Sequence, residues 1–546
     1  MRAYACRTVA IRKLLVANRG EIALRVFRAC RDEGIATVAV VAPDDHGSLH
    51  ARSADETVEI GSYLHSEEHI RAAKHSGADA IHPGYGFLAE NPEFAEAVGA
   101  AALTWIGPPP DALRAGGDKL AAKRIARDVE VPVVPEGAPD ELGFPLVLKA
   151  TAGGGGRGMR IVRSPQDLDG ALGAARREAQ AAFGDDRVFA ERYLERPRHV
   201  EIQLLADTQG RVVALGEREC SIQRRHQKVL EEAPSPALDP DLRAGMSDAA
   251  VRFATAIGYV GAGTAEFMLD GRDFFFLELN ARIQVEHPVT ELVTGIDLVR
   301  AQLAVARDEP LPPSDTLLKG HAVEVRLYAE DPRTFLPQNG RVERLALPRT
   351  VRVDAGVAEG DEVPVRYDPL LAKLIAHGPT REDALDRLAE ALEETRVEGV
   401  VTNLPFLRWL VAHPDVRDGR TTTAFLLEHP PLSQPPARRA DAVWRRPWRL
   451  NLPPPAPHAP PDVDAAGQQA AAQHGESQLT APMPGTVIKV LVQPGEAVES
   501  RQPLVVLEAM KMETPLVAPY DAVVRAVNVK EGEGVTADAV LIELEE

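Results

Sequence analysis

The chain of 546 residues is poor in cysteine, in positive charge and in long apolar runs, and each shortage excludes something. Three cysteines, Cys6, Cys30 and Cys220, with no CxxC spacing cannot build a disulfide framework, which points to a reducing compartment. A formal charge of −19 argues against nucleic acid as a general partner, because phosphate contacts need a basic surface. No apolar run reaches transmembrane length, and Met1 to Arg12 lacks the apolar core of a signal peptide. A cytoplasmic protein is expected, with neither membrane nor nucleic acid as partner. Two nucleotide motifs are also missing. The opening βαβ pattern has one glycine where a dinucleotide fingerprint needs three, and the glycine run Gly153 to Gly156 is not followed by GK[ST]. Neither NAD binding nor a Walker loop is supported.

What is present suits several domains, at roughly 100 to 200 residues each. Arg12 to Ala17 reads as a strand, Asn18-Arg19-Gly20 as a turn, Glu21 to Glu33 as a helix and Thr37 to Val41 as a second strand. Ala80-Ile81-His82 and Thr104-Trp105-Ile106 continue the alternation, so a parallel α/β unit is predicted. Further on, Pro145 to Ala150 and Met159 to Val162 read as strands around a loop from Gly153 to Gly158. Backbone amides of such a loop can approach phosphate closely, or the loop can swing as a lid; a plain surface hairpin is the competing reading. Val188 to Leu194 reads as a strand entering a connector, able to meet an adenine edge or merely to join domains. The run Gln223 to Lys228 is a candidate anion site or a solvated charge run. Gly320 to Tyr328 alternates, placing Glu324 and Arg326 on one face, and Glu382 to Glu398 has the apolar spacing of one helix.

The most informative stretch runs from Phe274 to His287. Read as extended, it puts Phe276, Glu278, Asn280, Arg282, Gln284 and Glu286 on one face and Leu277, Leu279, Ala281, Ile283 and Val285 on the other. The strand-like run Thr264 to Leu269 precedes it, with Asp270-Gly271 as a hairpin signal. That hairpin brings Glu266 beside Glu278 and Asn280, hard oxygen ligands suited to Mg²⁺ on nucleotide phosphates, and Arg282 could hold a small anion. A half-buried strand with a solvated face is the alternative.

From Pro431 to Gln478 the composition shifts to Pro, Ala, Gln and Arg, which reads as a linker apart from Trp444 and Trp448 with their neighbouring arginines. The last segment is an internal repeat: Ala481 to Glu508 align on Ala518 to Glu545 at an offset of 518 − 481 = 37. Two halves of short alternating strands predict a small quasi-symmetric β-sandwich, with Lys511 exposed between the halves and Lys489 and Lys530 on strands.

Residues from about Arg12 to Leu432 resemble biotin carboxylase, an ATP-grasp enzyme, and Leu479 to Glu546 resemble the biotin carboxyl carrier domain. The resemblance rests on Asn18-Arg19-Gly20-Glu21, His82-Pro83-Gly84-Tyr85-Gly86, the Gly153 to Met159 loop, Arg224-Arg225-His226-Gln227-Lys228, Asn280 to Pro288 and Ala509-Met510-Lys511-Met512. It implies a mixed α/β and α+β fold. The expected parts are an N-terminal α/β domain (12–120), an ATP-grasp lid (121–195), an ATP-grasp and C-terminal domain (196–432), the linker (433–478) and an all-β flattened barrel of biotinyl/lipoyl type (479–546). It also implies roles. Lys119, Lys149, Gly155 and Gly156 would hold ATP phosphates, while Glu191, Arg192, Tyr193, Leu194, His199, Gln223 and His226 would contact the nucleotide. Glu266, Glu278 and Asn280 would ligate Mg²⁺ or Mn²⁺, the two glutamates thereby also serving ATP. Lys228, Arg282, Val285 and Arg326 would form the bicarbonate pocket, Glu286 would deprotonate bicarbonate, and Arg326 would steady the enolate of biotin. Lys511 would carry biotin, attached by a separate biotin protein ligase.

The function so implied is ATP-dependent carboxylation of that biotin, in the α subunit of an acetyl- or propionyl-CoA carboxylase whose carboxyltransferase is a separate β subunit. The alternatives are a subunit of a pyruvate or other biotin-dependent carboxylase, and a catalytically silent biotinylated scaffold. The chain departs from the family pattern at Ala152, where a glycine is usual, and is shorter between Pro135 and Phe144 and after Pro348. The family often builds its dimer contact after Pro348, so a homodimer through the carboxylase domain is the weaker expectation.

Overall fold

The computed structural model describes residues 10–150, 160–183, 187–224, 227–311, 317–364, 366–433, 478–481, 485–499, 502–509, 512–535 and 539–545. Near the N-terminus five parallel strands form one sheet in the order Glu56–Glu59, Ala36–Val41, Lys13–Val16, Ala80–His82, Thr104–Trp105. The helix Gly20–Asp32 buries Ile22, Val26, Phe27 and Cys30 against it, as the spacing predicted. Strand order reverses between Lys13–Val16 and Ala80–His82, the kind of switch point where open α/β sheets leave a crevice. There Asn18 Nδ2 donates to the carbonyls of Pro83 (2.8 Å) and Tyr85 (2.7 Å). Gly84 has φ +65°, and a Cβ at this position would lie 2.8 Å from Asn18 Nδ2, so the turn needs glycine.

A four-stranded sheet follows, ordered Glu136–Gly137, Val188–Arg192, Leu146–Ala150, Arg160–Val162, with Leu146, Leu148, Val162 and Ala190 in a small core of its own. The glycine loop between two of these strands, with Gly155 and Gly156, lies outside the described residues. The helix Lys119–Asp128 spans the expected domain boundary at residue 120.

The main body is an eight-stranded antiparallel sheet. Its order is Asp273–Asn280, Gly261–Asp270, Arg198–Ala206, Val212–Arg224, Gln227–Ala233, His321–Tyr328, Leu370–Gly378, Arg352–Ala355. Its apolar side packs on two helices. Val200, Ile202, Ala265 and Phe267 meet Met246, Ala250 and Phe253 of Pro240–Ala256, and Val323, Val325 and Leu374 meet Ala384, Leu388 and Leu392 of Arg381–Glu394.

Three expectations are corrected here. The extended reading to His287 fails, because the strand ends at Asn280 and a helix, His287–Thr294, begins with Glu286 at its N-cap. Phe276 is not on the chemical face: Glu266 pairs with Glu278 but Phe267 with Phe276, so a bulge at Leu277 turns Phe276 into the core beside Phe253 and Phe267. The helix read as Glu382 to Glu398 stops at Glu394, and Arg396–Glu398 pairs as a strand with Arg344–Ala346. The hairpin itself stands, with Asp270 opposite Asp273 and Gly271 at φ 64°, so the turn residues are Gly271 and Arg272.

The C-terminal repeat forms two four-stranded sheets. One runs Gln478–Thr480, Val540–Glu545, Ala522–Val527, Ala497–Val498; the other runs Met512–Val517, Pro503–Ala509, Gly485–Val490, Gly534–Val535. Strands Gly485–Val490 and Ala522–Val527 are 37 residues apart, and so are the buried pairs Val487/Val524, Leu504/Leu541 and Leu507/Leu544. Each half lends a short strand to the other's sheet, which makes the two halves one sandwich. Ala509 pairs with Met512, bracketing Lys511, which lies outside the described residues. So do Trp444, Trp448 and nearly all of the expected linker. Lys489 is on a strand as expected, whereas Lys530 is not: it follows the strand ending at Val527 and precedes a turn.

Candidate active site

The polar site grows from the same alternation that builds the core. Along Arg198–Ala206, Val200, Ile202 and Leu204 enter the apolar core, so His199, Glu201 and Gln203 face the other way. Along His321–Tyr328, Val323, Val325 and Leu327 do the same, leaving Glu324 and Arg326 opposite. Register then stacks these residues: Glu201 lies beside Glu266 on one neighbour and Arg218 on the other, and Arg326 lies beside Lys373.

Lys228 is the hub. Its ammonium donates to Glu201 (2.5 Å), Glu266 (2.7 Å) and Glu286 (2.7 Å), and burial, which alone would lower its pKa, is outweighed by those three carboxylates. Arg218, wholly buried, donates to Glu201 (2.5 Å), Gln203 (2.6 Å), Thr290 (2.9 Å) and Thr264 (3.0 Å). Arg326 reaches Glu231 (2.6 Å) and Glu286 (3.0 Å). Burial alone would raise the pKa of Glu286, but Lys228, Arg326 and Arg218 hold it well below the usual carboxylate range. The helix N-terminus on which Glu286 sits favours the same ionised form.

Glu266 and Glu278 face each other across the hairpin, as the sequence predicted. Glu266 accepts from Lys228, from Asn280 Nδ2 (2.8 Å) and from Gln284 (3.3 Å), with His199 Nε2 3.0 Å from its other oxygen. Burial would raise its pKa, yet Lys228 and His199 keep it ionised far below the ordinary range. Glu278, one-third exposed, meets Lys119 at 3.3 Å. Two carboxylates and the Asn280 amide fit a hard divalent cation in donor type. Asn280 Oδ1 accepts from Arg282 (2.8 Å), whose guanidinium is also held by Glu90 (3.0 Å) and Gln284 (3.2 Å).

Lys149 donates to Glu191, and so does Lys123, so Glu191 braces two lysines at the four-stranded sheet. The amides of Arg192 and Tyr193 donate to Pro135 (3.0 Å) and Pro145 (3.2 Å), so these two donors of the connector that ends at Leu194 are already taken. Gln223 lies opposite Lys228 in register, and its amide nitrogen donates to the Cys220 carbonyl (2.9 Å). The Val285 carbonyl accepts from the buried Lys373 (2.7 Å). Arg225 and His226 lie outside the described residues. The described part of the basic cluster is no solvated run: Arg224 is buried against Glu330, and Lys228 against its three glutamates.

Sequence reasoning missed Glu90, Lys123, Glu201, Arg218, Glu231 and Lys373. Glu201 had a signal, since His199-Val200-Glu201-Ile202-Gln203 alternates; for the others only tertiary pairing reveals the role.

Comparisons with known proteins agree with this geometry. Residues 10–113 match the family "Biotin carboxylase, N-terminal domain", 118–314 "Carbamoyl-phosphate synthase L chain, ATP binding domain", 324–428 "Biotin carboxylase C-terminal domain" and 477–544 "Biotin-requiring enzyme". The chain is 42% identical to the biotin-dependent acyl-coenzyme A carboxylase alpha3 subunit of Mycobacterium leprae, over 98% of each. It is 48% identical to the mitochondrial methylcrotonoyl-CoA carboxylase subunit alpha of Dictyostelium discoideum over 77% of this chain, but spans only 64% of that protein's length. The crystal structure of a biotin carboxylase-beta-gamma-ATP complex from Campylobacter jejuni superposes with a TM-score of 0.73 at 39% identity, covering 77% of this chain and 99% of that one. Fold, buried ion network and comparisons converge: the chain belongs to the biotin carboxylase family, extended at its C-terminal end by a domain of the biotin-requiring type.

Proposed function

We propose that this chain uses ATP and bicarbonate to carboxylate biotin carried on Lys511, as the α subunit of an acyl-CoA carboxylase whose carboxyltransferase is a separate subunit. The observation that carries the reading is Glu286, buried yet kept anionic by Lys228 and Arg326. An anionic carboxylate beside two cations can take the proton of bicarbonate while the cations hold the remaining negative charge. Lys228 and Arg282 then keep the anion in line for attack on the γ-phosphorus, with ADP leaving. The resulting carboxyphosphate breaks to CO₂ and phosphate, and N1 of biotin, giving its proton to that phosphate, attacks the CO₂. Lys119 and Lys149 would hold the phosphates and His199 would contact the nucleotide, and Glu266, Glu278 and Asn280 would hold Mg²⁺, which supplies charge neutralisation at those phosphates.

The acyl-CoA half of the reading is supported by the likeness, over 98% of each chain, to a named acyl-coenzyme A carboxylase α subunit. Purification with its natural partner followed by a panel of acetyl-CoA, propionyl-CoA, methylcrotonyl-CoA and pyruvate tests it. Carboxylation of an acyl-CoA is expected. A partner acting on pyruvate alone contradicts the acyl-CoA assignment and leaves the carboxylase step standing.

A further inference from the structure

Two buried carboxyls next to Arg326 have no part in the scheme above. Glu231 and Glu324 are directly opposite each other on the paired strands Gln227–Ala233 and His321–Tyr328, and both are completely buried. Among the described residues the pair makes one ion pair, Arg326 at 2.6 Å from Glu231, which is shared with Glu286, and the oxygens of Glu324 accept no hydrogen bond. By contrast Glu201, Glu266 and Glu286 each meet Lys228 and at least one further cation or imidazole. Like charges opposite each other on adjacent strands repel, and an unpaired buried anion costs several kcal/mol, so two anions here are untenable. One proton on the pair removes the conflict.

We propose that Glu231 and Glu324 form a carboxyl pair that holds at least one proton at neutral pH and, through Glu231, positions the guanidinium of Arg326 for the biotin step. The inference rests on the carboxylase reading above and adds two positioning residues to it. The groups facing the pair are Lys228 on its own strand, Arg326 beside Glu324, Lys373 from Leu370–Gly378, Cys220 from Val212–Arg224 and Glu286 before the helix His287–Thr294. Burial raises both carboxyls, Glu231 to about 7 and Glu324 well above the usual range, with Arg326 and Lys373 opposing and the neighbouring glutamates reinforcing. Glu324 is therefore the neutral acid, and Glu231 gains or loses its charge within the working range. When Glu231 is ionised it holds Arg326; when it is protonated the guanidinium is left to Glu286.

The test uses the intact chain with two isosteric variants and two readouts. In infrared spectra of wild type at neutral pH, a band of a buried protonated carboxyl is expected, and Glu324→Gln should remove it. In Glu231→Gln, biotin-stimulated ATP cleavage should fall by about 10- to 10²-fold relative to cleavage with bicarbonate alone, since a misplacement of about 1 Å can cost about 10²-fold. The acidic limb of the biotin-dependent rate, near pH 7 in wild type, should disappear in Glu231→Gln and persist in Glu324→Gln. The proposal is overturned if no protonated-carboxyl band is lost in Glu324→Gln. It is overturned equally if Glu231→Gln lowers both rates alike, as general loosening would, or keeps the limb. A wild-type chain that cleaves no ATP contradicts the carboxylase reading instead, and the infrared band, which needs no turnover, still decides the carboxyl pair.

Discussion

Glu286 shows how much of this site is electrostatics of burial. Removed from water it would be a weak acid, but Lys228 at 2.7 Å and Arg326 at 3.0 Å reverse that and keep it in the unprotonated form a base needs, at the cost of some basicity. Glu286→Gln keeps size and hydrogen-bonding capacity while losing the base. Turnover should fall by about 10² to 10⁴ while nucleotide affinity stays within a few fold, measured by ATP cleavage and by calorimetric titration. Loss of nucleotide binding in folded protein would contradict the division between base and metal ligands. Glu232, one residue beyond Glu231, has the opposite task. It is buried, which would raise its pKa, but His321 (2.6 Å) and Arg381 (2.6 and 2.9 Å) hold it down to about 2. An unfolded glutamate titrates near 4.3, so as pH falls the unfolded chain takes up this proton first. The stabilisation is complete above about pH 5 and lost as pH falls towards 2, on the order of 3 kcal/mol in all. Thermal unfolding of Glu232→Gln should show a lower midpoint than wild type at pH 7 and a smaller gap at pH 3. A gap that widens with acid would contradict the assignment.

At the scale of elements, the sequence was most legible where spacing is local. The Asp-Gly signal located the hairpin, although the Leu277 bulge is what sets Glu266 opposite Glu278, and the opening βαβ pattern came through with its helix intact. The strand reading failed beyond Asn280, because neither the Leu277 bulge nor the turn leading to the helix at His287 interrupts an alternating sequence pattern. Arg218, Glu231 and Lys373 went unread for a different reason: a buried charge looks like a surface charge until its partner, often far off in sequence, is known. The 37-residue repeat was legible because it fixes the same burial at both copies. Leu504 and Leu541 are wholly buried at equivalent positions, so Leu504→Ala and Leu541→Ala should each cost about 2 to 5 kcal/mol, by similar amounts. Hydrogen exchange of the carrier strands in urea would measure this. A neutral effect at one position would mean that the two halves are not equivalent in packing.

At the scale of the whole molecule, one chain holds a carboxylating site and the lysine proposed to carry its substrate. Among the described residues no helix is long and apolar enough to cross a membrane. Tethering would present biotin at an effective concentration of order millimolar, far above what dilute free biotin offers. Lys511→Arg should therefore abolish reaction with streptavidin and acyl-CoA carboxylation with the partner, while carboxylation of added free biotin persists. A streptavidin signal surviving in Lys511→Arg, traced by peptide mass spectrometry to another lysine, would contradict the attachment site. The most direct measurement of the central claim is ATP cleavage by the purified, Mg²⁺-supplied chain, with and without bicarbonate and with and without free biotin. Cleavage that requires bicarbonate and rises with biotin is the expected result; cleavage indifferent to both, or none from folded protein, would contradict a working carboxylase.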